Sequence, residues 1–129
     1  GQQPGKIIHL HEQLVQPFKS RFMVRIGEHI KSIPTEVISY FFSREKGTFC
    51  VTNEGKKYLL DYSLEFVEKR LDPKIWYRIN RKYIIHFEAV NDIISYSNSR
   101  LKVLLPHSSD NEIIVARERV RDFKNWLDQ

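Results

Sequence analysis

The densest group of hydrogen-bond donors in this chain is the run Arg78-Ile79-Asn80-Arg81-Lys82. Apolar residues bracket the run on both sides, so we expect its ends to be held in a core. An Arg side chain can bind a phosphate through two parallel N–H groups, and Lys binds it as a point charge. The run therefore suits an array of phosphates, although a strand with a solvated polar face has the same pattern.

A second group of cations lies in a predicted loop between two apolar strands. Arg44 and Lys46 belong to the loop Ser43-Arg44-Glu45-Lys46-Gly47-Thr48. These residues add to a basic balance, with 21 Lys and Arg against 16 Asp and Glu and a formal net charge of +5. Such a balance favours a polyanionic partner, which is nucleic acid or an acidic membrane surface.

A third group of cations, Arg117, Arg119 and Arg121, stands at the start of the last predicted helix. Glu118 and Asp122 are interleaved with them, so a solvated helix face is one interpretation. The helix dipole, however, favours carboxylates in a first turn and disfavours cations there. A phosphate or the edge of a guanine is the other interpretation.

The elements that would position these groups are mainly short strands. Alternating apolar residues and turn signals mark them, such as Asn53-Glu54-Gly55 with a glycine where a positive φ is needed. The predicted strands are 22–26, 37–42, 48–52, 57–60, 92–96, 100–105 and 113–116. With one helix in the middle and one at the end, the chain is predicted to be a mostly-β domain.

Two helices interrupt this pattern. Ser63 is a good N-cap for the first helix, and Tyr62 is placed to pack against Val67 across its first turn. The second is predicted from about Glu118 to Asp128. Its apolar residues recur at helical spacing: Val120, Phe123, Trp126 and Leu127.

The first 20 residues differ from the rest and are predicted to be a linker or an N-terminal arm that packs on another surface. They contain Pro4, Gly5 and Pro17 and show no strong alternation. Their apolar residues fit a short helical stripe without a convincing cap: Ile7, Ile8, Leu10, Leu14 and Val15. Residues 21–129 are predicted to form one folded domain, as this length allows.

No residue pattern supports catalysis or a cofactor. His9 and His11 are too few for a closed zinc site, which needs four ligands. Cys50 is the single cysteine and lies in an apolar run, so we expect a buried thiol in a reducing compartment. No signal peptide or membrane span is visible, and a cytoplasmic protein that is not an enzyme is expected.

Several ordered segments together resemble the LytTR-type DNA-binding domain, an output module of bacterial two-component response regulators. The resemblance covers about residues 21–129. The segments that carry it are Ile38–Phe42 with Arg44–Phe49, Ser63–Pro73, Trp76–His86, Ile114–Arg117 and Phe123–Leu127. This chain departs from the usual residues at four positions: Asn80 for His, Lys82 for Ser, His86 for Asn and Ala116 for Ser.

The resemblance implies an elongated fold of small antiparallel sheets whose loops enter successive major grooves. Three segments would contact the DNA. The first is the loop with Arg44, Lys46 and Thr48, and the second contains Arg78, Asn80, Arg81 and Lys82. The third contains Arg117 and Arg119.

It also implies sequence-specific binding of double-stranded DNA in the bacterial cytoplasm, to control transcription. We expect direct repeats as the site, a possible homodimer on DNA, and a receiver or sensory domain upstream of residue 1. The alternative is a module that binds protein or an anionic ligand without reading DNA.

Overall fold

The computed structural model describes residues 18–96 and 99–129, and this part of the chain is mostly β. Its strands, in chain order, are β1 (Arg21–Ile26), β2 (His29–Pro34), β3 (Ile38–Arg44), β4 (Gly47–Thr52), β5 (Lys57–Leu60), β6 (Trp76–Arg78), β7 (Tyr83–His86), β8 (Asp92–Tyr96), β9 (Arg100–Leu104) and β10 (Ile114–Val115). Its α-helices are α1 (Leu64–Lys69) and α2 (Val120–Leu127). Single 3-10 turns are formed by Thr35–Val37, Phe87–Ala89 and Arg117–Arg119.

The strands form two antiparallel sheets. Seven strands lie in the order β2-β1-β5-β4-β3-β7-β6, and three lie in the order β10-β9-β8. Alternate residues of the large sheet point to opposite faces, so each face has its own core. The mostly-β class predicted from the sequence, with antiparallel sheets and two short helices, is confirmed.

One core lies between the large sheet, the small sheet and α2. It includes Phe42 and Ile85 from the large sheet, Val103 from the small sheet, and Phe123 and Trp126 from α2. The other core lies between the opposite face of the large sheet and α1. There Phe22, Phe41 and Ile84 pack with Leu64 and Val67 of α1. Cys50 is fully buried in this second core, and burial raises the pKa of its thiol to about 12.

The N-terminus of the first helix is fixed by a cap and by an aromatic side chain next to it. Ser63 caps α1 as predicted, because its hydroxyl accepts a hydrogen bond of 3.1 Å from the amide of Phe66. Tyr62 packs against the buried cluster that contains Val67. It also stacks on the ring of Phe66 at a centroid distance of 4.8 Å.

Strand β2 is missing from the sequence prediction. It pairs with β1 along its whole length, from Ile26 with His29 to Arg21 with Pro34. Its first four residues are exposed, so no alternation of apolar and polar residues marks it. It is an edge strand of the large sheet. The predicted hairpin between β4 and β5 is confirmed, and Gly55 has the expected positive φ of 90°.

Candidate nucleic-acid interface

The first two predicted cationic groups lie side by side at one end of the large sheet. Strands β3 and β7 are neighbours, with Phe42 paired to Tyr83. Just beyond this pair, the amide of Ser43 donates a hydrogen bond of 2.9 Å to the carbonyl of Lys82. The turn between β3 and β4 therefore lies against the turn of residues 79–82, which joins β6 to β7.

The third group is bonded to the same turn. The amide of Ala116 donates a hydrogen bond of 2.9 Å to the carbonyl of Ile79. The side-chain amide of Asn80 also donates to the carbonyl of Ile114 at 2.8 Å. Three segments that are distant in sequence are thus joined by hydrogen bonds at one end of the fold.

Five of the predicted contact residues are exposed at this end, and we call this surface the basic end. Its residues are Arg44, Lys46, Arg81, Lys82 and Arg117. Lys46 lies in the two-residue turn between Arg44 and Gly47, which are paired across the hairpin. Glu45, the other residue of that turn, has a positive φ of 56°. The guanidinium carbon of Arg44 lies 5.7 Å from the centre of the Phe42 ring, which supports it from below the surface.

The guanidinium of Arg78, a predicted contact residue, is bonded to other parts of the protein. Its side chain is only 10% exposed and forms ion pairs with Glu68 at 2.9 Å and Glu65 at 3.2 Å. It also donates to the carbonyls of Asn80 and Arg81, at 3.1 and 2.7 Å. The pKa of Glu65 is lowered, first by a hydrogen bond from its own amide and then by that from Arg78. The donors of Arg78 are therefore used by α1 and by the turn.

Asn80 likewise points inward and braces the turn. Its side-chain oxygen accepts hydrogen bonds from the amides of Lys82 at 2.7 Å and Tyr83 at 3.0 Å. Its nitrogen is bonded to the carbonyl of Ile114, so both ends of the side-chain amide are engaged. The sequence predicts Asn80 as a contact residue, and the structure assigns its polar atoms to holding two segments together.

Two further predicted contact residues, Arg119 and Thr48, are at least partly buried. Arg119 is half-buried, and its guanidinium donates a hydrogen bond of 2.9 Å to the carbonyl of Arg78. The hydroxyl of Tyr77 fixes the same residue by donating to the carbonyl of Arg119 at 3.2 Å. Thr48 has a buried side chain because its register opposite Ser43 turns it inward. Neither side chain is presented in the way that Arg81 and Arg117 are.

Two cations near the basic end are absent from the sequence prediction. The ammonium of Lys57 lies 5.3 Å from the Phe42 ring, the same ring that supports Arg44. Arg100 lines a shallow cavity with Arg117. Both come into place through strand pairing, since Lys57 lies opposite Val51 and Arg100 opposite Tyr96. No local sequence signal identifies them.

The loop between β9 and β10 is anchored beside this surface. The hydroxyl of Tyr83 donates a hydrogen bond of 3.0 Å to the carboxylate of Asp110. Burial, followed by the charge of Asp110, raises the pKa of Tyr83 well above its ordinary value. His107 reaches across to the carbonyl of Asn53 at 3.2 Å. These contacts hold the loop against the large sheet.

Metal-binding clusters and membrane-spanning helices are both absent from the described part of the chain. In residues 18–96 and 99–129, no three His, Cys, Asp or Glu side chains are grouped so as to hold a metal ion. His9 and His11 lie outside the described residues. Within the same ranges, no helix is long and apolar enough to cross a membrane.

Exposed cations on a rigid frame at one end of a mostly-β domain define the class of protein that binds nucleic acid through a basic surface. The chain belongs to the LytTR family. The family model, described as the LytTr DNA-binding domain, matches residues 28–128. No curated protein matches the chain.

Among solved structures, the chain is similar to a LytTr DNA-binding domain from Bacillus cereus, described as part of a methyl-accepting/DNA response regulator. The identity is 18%, the TM-score is 0.73, and the match covers 84% of this chain and 97% of that one. At this identity the likeness concerns the fold.

Proposed function

We propose that this LytTR domain binds double-stranded DNA sequence-specifically and controls transcription as the output domain of a response regulator. The main support for DNA binding is that three cationic segments meet at one end of the fold. They are joined by main-chain hydrogen bonds from Ser43 to Lys82 and from Ala116 to Ile79. A DNA duplex needs donors at fixed separations, and main-chain bonds between the segments keep those separations constant.

The exposed side chains divide into two proposed roles. Arg81 and Arg117 read base edges, because each is an exposed guanidinium on a turn that is bonded to its neighbour. Arg44, Lys46 and Lys82 bind phosphates. Lys57, which the sequence did not predict, is added to this group because it contacts the same Phe42 ring as Arg44. Arg78, Asn80 and Arg119 act as positioning residues, and Thr48 is left out of the contact set.

The intact protein is proposed to work in the bacterial cytoplasm with a receiver or sensory domain before residue 1. The similarity to a domain from a described response regulator supports this arrangement. Two domains would bind direct repeats, so a homodimer on DNA is part of the proposal. No catalysis and no cofactor are needed for this function.

The test begins with selection of bound duplexes from a random pool, followed by titration of variants against the selected site and its single-base mutants. Arg81→Ala and Arg117→Ala should lose discrimination at particular base pairs, by about 1–3 kcal/mol each. Lys82→Ala and Lys57→Ala should weaken all duplexes alike. Lys31→Ala is the matched control, since Lys31 is exposed on β2 at the far edge of the large sheet.

Salt dependence provides the second measurement. Removing one phosphate-binding cation should make the slope of log K against log salt shallower by roughly 0.9. If selection yields no preferred sequence and Arg81→Ala weakens every duplex equally, the base-reading claim fails. Sequence-blind or absent DNA binding would instead favour a module for protein or anionic ligands on the same fold.

A further inference from the structure

A groove of about 630 Å³ lies between the C-terminal end of α1, strand β6 and α2. Its volume is within the range of sites that bind compact ligands or several apolar side chains. Most of its lining is apolar and includes Phe18, Leu71, Pro73, Trp76 and Trp126. None of the proposed DNA contacts lies in this groove.

The chain enters the described structure at this groove. Phe18 is part of the lining and is 56% exposed. The next residue, Lys19, fixes the entry point because its amide donates a hydrogen bond of 2.8 Å to the carbonyl of Arg70. Any segment just before Phe18 therefore starts beside the groove.

The preceding residues carry apolar side chains of the required kind. Ile7, Leu10 and Leu14 have the i, i+3, i+7 spacing with which an amphipathic segment occupies an apolar groove. Leu14 is four residues before Phe18, so its reach is at most about 14 Å, at roughly 3.3–3.6 Å per residue. The apolar stripe is thus tethered within reach of an apolar surface.

We propose that residues 7–15 of this chain dock into the groove, with Ile7, Leu10 and Leu14 as the buried side chains. Trp126, which is 8% exposed, belongs to the apolar wall that these side chains would cover.

The docked segment would touch the residues that hold the basic end. Arg78 and Arg119 line the groove, and both donate hydrogen bonds to the main chain of the turn region. The arm predicted from residues 1–20 thereby acquires a binding surface within its own chain. The docking itself does not depend on what the basic end binds.

Disulfide trapping in the full chain tests the proposal. Leu10→Cys is combined with Pro73→Cys, since Pro73 is exposed at the groove. The native Cys50 does not interfere, because it is fully buried and its thiol pKa is raised to about 12. Mild oxidation should give a disulfide within one chain, seen as a faster-migrating monomer on a non-reducing gel.

The control pair is Leu10→Cys with Lys31→Cys, which places the second thiol on exposed β2, at the opposite edge of the sheet from β6. We expect the groove pair to form at least about tenfold faster, because docking raises the local concentration of the two thiols. Equal rates for the two pairs would show that the segment does not dock. A disulfide-linked dimer would assign the groove to a second copy and overturn the proposal.

A second set of substitutions tests whether the disulfide forms because the apolar side chains dock or only because the segment is tethered near the groove. Added to the trapping pair, Ile7→Ser with Leu14→Ser should abolish the faster rate. Gln13→Ser with Gln16→Ser should leave it unchanged, since these are polar positions of the same segment. If both pairs of serines act alike, the apolar side chains do not mediate docking and the proposal fails.

Discussion

The guanidinium of Arg119 donates a hydrogen bond of 2.9 Å to the main-chain carbonyl of Arg78. Arg78 in turn donates to the carbonyl of Arg81 at 2.7 Å. Two arginines that the sequence suggests as DNA contacts thus form the support behind a third, which is exposed. Some arginines of this domain therefore hold the surface together through hydrogen bonds, whereas others are exposed on it.

The first prediction concerns the Arg78 guanidinium, whose N–H donors point in several fixed directions. Arg78→Lys keeps the charge but cannot contact two carboxylates and two carbonyls at once. We expect DNA affinity to fall on the order of tenfold, about 1.4 kcal/mol, because the turn with Arg81 loosens. Fluorescence anisotropy titrations on the selected duplex measure this.

The control is Arg44→Lys, which also preserves charge but at an exposed position. It should bind within about a factor of three of the wild type, since the side chain is exposed and Lys keeps the charge that dominates phosphate affinity. Equal tolerance of the two substitutions would mean that Arg78 contributes charge alone, and its positioning role would be wrong.

The second prediction concerns Asn80. Asn80→Ala removes the hydrogen bonds to the amides of Lys82 and Tyr83 and to the carbonyl of Ile114. The free energy of unfolding should fall by about 1–3 kcal/mol, because partly buried main-chain groups are left without partners. Urea denaturation measures it, with exposed Asn111→Ala as the control. Wild-type stability together with abolished DNA binding would mean that Asn80 contacts DNA directly.

The difference between Asn80 and Arg81 shows what sequence reasoning can and cannot reach here. The three cationic groups are visible as composition along the chain, and the structure brings them to one end of the fold. Which donors remain free is not visible, because the partners are distant. Glu65 is 13 residues from Arg78, and Ile114 is 34 residues from Asn80.

Strand register explains why Thr48 and Lys57 could not be assigned correctly from the sequence. A side chain's face in a strand depends on pairing, and a shift of one residue reverses it. Thr48 faces inward because the turn between Arg44 and Gly47 contains two residues. Lys57 reaches the Phe42 ring through the pairing of β4 with β5. Strand β2 has no apolar alternation to detect, whereas the strands with one buried face are predictable from theirs.

The third prediction concerns Glu45, which has a positive φ of 56° in the turn beside Lys46. A residue with a Cβ is strained in this conformation and glycine is not. Glu45→Gly should therefore be more stable than Glu45→Gln by about 0.5–1 kcal/mol in urea denaturation. Both variants should bind DNA more tightly than the wild type, and by similar factors, because each removes a carboxylate from the basic end. Tighter binding by Glu45→Gly alone would trace the gain to backbone geometry.

The last prediction concerns His86, whose ring nitrogen Nδ1 accepts a hydrogen bond of 2.9 Å from the amide of Glu88. Burial lowers the pKa of His86, partly opposed by the charge of Glu88. A folded-state pKa below the unfolded value means that the neutral ring adds stability above the unfolded pKa. This stability is lost as pH falls through the folded value. The free energy of unfolding should therefore decrease between about pH 7 and pH 5.

His86→Asn tests this cause, because an Asn oxygen can accept the same amide hydrogen and does not titrate. The variant should show a shallower decline in urea midpoint over that range than the wild type. His29→Asn, at an exposed site on β2, is the control for loss of a histidine and should keep the wild-type slope. If His86→Asn keeps the full decline, another group is responsible. In that case the bond to Glu88 is not the pH-sensitive contact in the hairpin that carries Arg81.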